Sequence, residues 1–160
     1  MNVFLLSFRR GLLKQYIDII THEYDYILID TTPSLGLMTV NALAAANSVL
    51  IPIQAQYLSL KGLEQLLQTI VRIKKQINPS LVIEGILITI ADTRTNYSKD
   101  IITLLEKTYT GKIKIFNDNI PQSIKASEIS AKGVSIYIHD PNGKAALAYE
   151  ALTKEVLSVE

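Results

Sequence analysis

An α/β fold with a mostly parallel sheet flanked by helices is predicted by three observations. Short apolar runs alternate with longer amphipathic stretches along the chain, as βα repeats require. Residues 85–90 are nearly continuous in apolar side chains, the pattern of a strand buried on both faces. The first apolar run, Tyr26-Ile27-Leu28-Ile29, ends directly in a carboxylate, Asp30. In open α/β sheets ligands lie beyond the carboxyl ends of the strands. The loops after Asp30, Ile53 and Ile90 are therefore the first places to look.

The elements follow in order. Phe8, Leu12, Tyr16 and Ile19 recur at helical spacing, so 7–21 reads as an amphipathic helix. Residues 26–29 are the first strand. Ser34 is placed to cap a helix over 35–46, rich in Ala and Leu. Residues 49–53 form a second strand in which Pro52 marks a bulge or an end. Leu60, Leu63, Leu67, Ile70, Ile73 and Ile77 mark the clearest helix, capped by Ser59 and ended by Asn78-Pro79. A third strand covers 82–90. Ser98 is placed to cap a helix carrying Ile101, Leu104, Leu105 and Thr108. Residues 112–116 alternate as a fourth strand, and Ile136-Tyr137-Ile138 is a short fifth extended piece. Asn142 then opens a helix with Ala145, Tyr149, Leu152 and Val156 on one face.

Composition bounds the function. A length of 160 residues suits one domain spanning 1–160. With 48% hydrophobic and 19% charged residues the chain reads as globular. A formal charge of +1 argues against a strongly basic nucleic-acid binder while allowing a local patch. There is no Cys, so no disulfide or thiolate metal site; this fits a cytoplasmic protein. Residues 1–7 are apolar, but Arg9-Arg10 follow them, the reverse of a signal peptide. No run approaches ~18 uninterrupted apolar residues, so no membrane span is expected.

Asp30 is the first candidate for chemistry. A carboxylate at a strand's end can hold a Mg²⁺-bound water, and the ion neutralises phosphate charge. The bland alternative is an Asp that only caps its turn. His22 and His139 lack metal-ligand spacing. Thr31, Thr32 and Ser34 have no His-based triad. Arg72, Lys74 and Lys75 suit the negative end of their helix. No G-x-x-x-x-G-K-[ST] phosphate loop occurs: Gly111-Lys112 precedes Ile, and Gly143-Lys144 precedes Ala.

Residues 24–43, YDYILIDTTPSLGLMTVNAL, resemble the region around the second acidic motif of the ParA/Soj partition ATPases, where "YDYIIIDxPPSLGxLTxNAL" is typical. The resemblance continues through Val49-Leu50-Ile51-Pro52-Ile53-Gln54, Ser59-Leu60-Lys61-Gly62-Leu63, Asp92-Thr93-Arg94-Thr95, Ile120-Pro121 and Asp140-Pro141, in order over most of the chain. It implies a deviant P-loop ATPase of the ParA/MinD group, with a SIMIBI-type P-loop NTPase-like fold. Such proteins dimerise around ATP and Mg²⁺, bind DNA non-specifically, and are discharged by a ParB-like centromere-binding partner.

Carried over by position, Asp30 is the Mg²⁺-associated acid, acting through water. The loop containing Thr31, Thr32 and Pro33 senses the γ-phosphate. By the same resemblance Pro121 and Gln122 would lie near the adenine, and Arg94 and Lys125 match positions where the family places basic DNA-contacting residues. There are departures. Thr31-Thr32 replaces a commoner pair, and Gln122 stands where many members carry Arg. Lys125 replaces a frequent Arg, keeping the charge without the bidentate fork. The family's opening strand and "KGGxGKT" loop are not found in the 23 residues before Tyr24. The expectation is a fold missing its N-terminal strands, an incomplete nucleotide site inactive alone, and an apolar sheet edge that favours self-association. Two other readings stay open: a non-catalytic DNA- or partner-binding module on the same fold, or an unrelated α/β protein for another phosphorylated ligand.

Overall fold

The computed structural model describes residues 3–32, 36–92 and 94–158. Among them, α1 spans Val3–Ile20 and runs into a 3-10 turn at Thr21–Glu23. Then come α2 (Leu37–Ala45), β1 (Ser48–Gln54), α3 (Tyr57–Gln76), β2 (Val82–Thr89), α4 (Asn96–Tyr109), α5 (Ile124–Lys132), α6 (Ile136–His139) and α7 (Lys144–Leu157). The architecture is a parallel sheet with flanking helices, as the alternation of patterns required.

The chain forms two compact units: Met1–Val49 with Leu63–Ile83, and Leu50–Gly62 with Glu84–Glu160. In the first unit α1 packs on α2. The stripe that α1 turns inward is Leu13, Ile17 and Ile20, all half-buried, whereas Leu12, Tyr16 and Ile19 stay exposed. Helical periodicity identifies the element, but the helix carries two apolar stripes, and the one through Leu12, Tyr16 and Ile19 faces solvent. Ala42, Leu43, Ala44 and Ala45 of α2 are buried, as are Leu63, Ile70, Ile73 and Leu81. The Asn78 amide donates to the carbonyls of Leu43 (3.0 Å) and Ala46 (2.8 Å), supplying partners at the end of α2.

In the second unit Leu87, Phe116 and Ile120 form a buried cluster covered by Leu50, Ala148, Leu152 and Val156. The predicted stripe of the last helix thus faces this core through Leu152 and Val156. Residues 112–116 do not form a full strand but a short parallel bridge, Ile86 to Ile115. The Ile86 N–H donates to Lys114 O (2.8 Å) and the Phe116 N–H to Ile86 O (3.0 Å). Gly85 permits this close approach. A Cβ there would lie 2.9 Å from the Lys114 carbonyl oxygen and 2.9 Å from the Phe116 ring.

Several expectations are corrected. Residues 26–29 are not a laddered strand, because no strand among the described residues pairs with them. They keep strand-like alternation: Ile27 and Ile29 are half-buried, while Tyr26 and Leu28 are exposed, Leu28 at 94%. Residues 136–138 are helical, since Ser135 Oγ accepts the Tyr137 N–H and the Asp140 N–H closes onto Ile136 O. Thr95, not Ser98, caps α4: its hydroxyl accepts the Ser98 N–H. α3 starts at Tyr57, before Ser59. Gly143 precedes α7 where Asn142 was expected to start it. Ser34 lies outside the described residues.

Candidate functional site

In the first unit, Asp30, Thr31 and Thr32 are exposed at the end of the extended segment. Pro33 lies outside the described residues. Asp30 has no ion-pair partner among the described residues. No group of three His, Asp or Glu residues able to hold a metal occurs among those residues. A lone, exposed carboxylate fits Mg²⁺, which keeps several waters and takes one or two carboxylates together with substrate phosphates. It does not fit an all-protein metal cage.

In the second unit the segment after β2 meets residues 120–122. Ile90 follows the strand at φ 51, a left-handed backbone that a β-branched residue adopts only at a cost. The chain then bends so that Ala91 forms a parallel bridge with Pro121. The Ala91 N–H donates to Ile120 O (3.0 Å), and the Gln122 N–H donates to Ala91 O (3.2 Å). Two segments far apart in sequence, carrying Arg94 and Pro121-Gln122, are thereby fixed side by side. Pro121 is half-buried and Gln122 exposed.

Both candidate cations hold a carboxylate. Arg94 grips Asp92 with both arms: Nε to Oδ1 at 2.8 Å and a terminal nitrogen to Oδ2 at 3.0 Å. The hydrogen-bonded guanidinium holds the Asp92 carboxyl below the usual carboxylate range, and Asp92 raises Arg94 in turn. The Thr95 hydroxyl donates to Asp92 O (3.1 Å), so this turn runs straight into the cap of α4. Lys125, in the first turn of α5, reaches Asp140 Oδ1 at 2.8 Å. Ser123 caps α5 by accepting the Ala126 N–H (3.2 Å). Gly143 lies against the Asp140 carboxylate, where an added Cβ would collide with it.

The acids Asp92 and Asp140 were not singled out as partners by sequence. The Asp92–Arg94 pair is local, two residues apart in a turn, and the D-x-R spacing was a usable signal. The Lys125–Asp140 pair joins the start of α5 to the residue after α6, and nothing in the one-dimensional pattern announces it.

A family model described as AAA domain matches residues 1–83. The sporulation initiation inhibitor protein Soj of Bacillus subtilis (strain 168) is 42% identical over 144 residues, covering 90% of this chain and 56% of Soj. The chain belongs to the ParA/Soj partition ATPase family. The chromosome-partitioning ATPase Soj of Treponema pallidum is likewise 42% identical over 146 residues, covering 91% of this chain and 57% of its own length. The chain thus spans about half the length of these curated relatives. Among solved structures, cobyrinic acid a,c-diamide synthase from Mycobacterium smegmatis with bound ADP and magnesium matches at TM-score 0.75 and 28% identity, covering 92% of this chain and 52% of that one. The cell division ATPase MinD of Pyrococcus furiosus shares the fold at TM-score 0.73 and 18% identity, covering 95% of this chain and 59% of its own. No helix among the described residues is long and apolar enough to cross a membrane.

Proposed function

We propose that this ParA/Soj-family chain serves in plasmid or chromosome segregation. Its 160 residues carry the part of a partition ATPase that follows the phosphate loop. The observation that carries this reading is the 42% identity running over 90% of the chain, which takes in every candidate site residue together. The Ala91–Pro121 bridge supports it, because it joins two otherwise remote motif segments at the end of β2.

In this reading Asp30 would hold a Mg²⁺-bound water, and Thr31, Thr32 and Pro33 would line the terminal phosphate. Pro121 and Gln122 border the base. The bound Mg²⁺ would neutralise the charge of the phosphates during in-line attack of water. The residues on this chain position and orient; they form no covalent bond to the substrate. Cradling of phosphates by a nest of backbone N–H groups and a Lys requires a loop that these 160 residues do not contain. The chain by itself is therefore proposed not to turn over ATP.

Arg94 and Lys125 are proposed to contact DNA phosphates without reading sequence. The proposed partners are non-specific DNA, a ParB-like centromere-binding protein and a second copy of this chain. The place of action is the cytoplasm, at the nucleoid while DNA is bound. The test is binding of random-sequence duplex DNA across a salt series. Affinity should fall with salt and ignore ATP. Arg94→Ala and Lys125→Ala should each weaken binding and shallow the log–log salt slope by about 0.9 per lost phosphate contact. Binding unchanged in both variants would refute the assignment.

A further inference from the structure

The two cations assigned to DNA are each engaged by an acid, and one member of each pair stands on the segments joined by the Ala91–Pro121 bridge. Asp92 follows Ala91 directly, and Lys125 stands three residues beyond Gln122, on the two segments joined by the Ala91–Pro121 bridge. Asp92 takes both arms of Arg94, and Asp140 takes Lys125 at 2.8 Å. The acids are the more enclosed members: the side chains of Asp92 and Asp140 are 25% and 21% exposed, against 85% and 60% for Arg94 and Lys125. In each pair the carboxylate is thus the more enclosed partner and the cation the more exposed one.

Asp140 is held from a second side. It lies just before α7, where a negative charge meets the positive end of the helix dipole. Its main-chain carbonyl accepts the Gly143 N–H (3.0 Å), and Gly143 leaves no Cβ to displace the carboxylate. Asp140 is therefore anchored by contacts that do not depend on Lys125.

We infer that Asp92 and Asp140 are built-in counter-anions that compete with DNA phosphate for Arg94 and Lys125, and so hold the DNA affinity of this surface below what its cations alone would give. This rests on the DNA-contact reading above. A phosphate oxygen makes the same charge-assisted hydrogen bonds as a carboxylate, with the same fork match to Arg. Each cation must leave or share its acid to bind a phosphate. An exposed pair is weak, so the competition is moderate and reversible. The acids are positioning residues: they set where the cation points while it is unbound.

The test is binding of random-sequence duplex DNA to the full chain and to Asp140→Asn, with Lys125→Ala as the reference variant. Asn keeps the shape and removes the charge. Asp140→Asn should bind roughly two- to fivefold tighter at low salt, the size of one exposed ion pair. Its log–log salt slope should steepen by up to about 0.9, one more phosphate fully neutralised. Equal or weaker binding by Asp140→Asn, with Lys125→Ala still impaired, overturns the counter-anion role and leaves the DNA reading standing. No DNA binding by any of these chains overturns both. Should Asp140→Asn fold poorly by circular dichroism, Asp92→Asn makes the same test at Arg94, in a turn where Asn retains the hydrogen bond from the Arg94 N–H.

Discussion

Single residues set how closely the pieces of this fold approach. Gly85 is the clearest case, because the Lys114 carbonyl and the Phe116 ring occupy the space a side chain would need. Gly85→Ala should lower the urea midpoint by an amount equivalent to about 1–3 kcal/mol at unchanged slope, the usual cost of overpacking. A wild-type midpoint would mean the bridge from Ile86 to Ile115 is looser than described. The reading of 85–90 as a buried strand holds as far as Thr89: Ile86, Leu87 and Ile88 are buried, whereas Ile90 is exposed and has already left the strand. It gave no hint that the glycine makes room for a neighbouring segment, since that neighbour lies almost 30 residues away in the chain. Asp30 was legible for the opposite reason. An acid closing an apolar run is a local pattern, and Asp30 is exposed.

At the scale of elements, α5 and α6 are tied by a small ionic group. Glu128 accepts from His139 Nε2 (3.0 Å) and from Lys132 Nζ (3.2 Å). Because an ionised carboxylate only accepts, Nε2 carries the proton in this contact. The hydrogen bonds from His139, then Lys132, hold the Glu128 carboxyl below its ordinary range. The sign follows from linkage. A depressed carboxylate stabilises the fold above the unfolded value of about 4.3, and that contribution fades as pH falls through the lower folded value. Wild type should therefore melt above Glu128→Gln at pH 6, with the gap closing as the pH approaches 3. A gap that stays constant with pH would show that the contact contributes no charge-dependent stability. None of this was visible beforehand, because α6 was read as extended. Ile-Tyr-Ile is β-branched and aromatic, which favours strand locally. The Ser135 cap and the Asp140 closure override that propensity over one turn. Long periodic helices such as α3 were legible for the converse reason, since many turns repeat the same signal.

For the molecule as a whole, the fold class was readable from the alternation of patterns, and family membership from several motifs in order. The strand count was not, because a strand is defined by its neighbours as much as by its own residues. Residues 27–30 carry strand chemistry without being assigned to a strand, and Leu28 is almost fully exposed. Such a segment invites pairing with another chain. Sedimentation should show concentration-dependent self-association that Leu28→Asp weakens; a monodisperse monomer at all concentrations would contradict it. The central claim is that these residues hold the acid, loop and DNA-contact parts of a ParA-type site without a phosphate cradle. Calorimetric titration of the folded chain with ATP, with and without Mg²⁺, tests this most directly. The account predicts no binding heat in either condition, for wild type and for Asp30→Ala alike. Saturable binding that requires Mg²⁺ and disappears in Asp30→Ala would contradict it, because it would place a working nucleotide site on this chain alone.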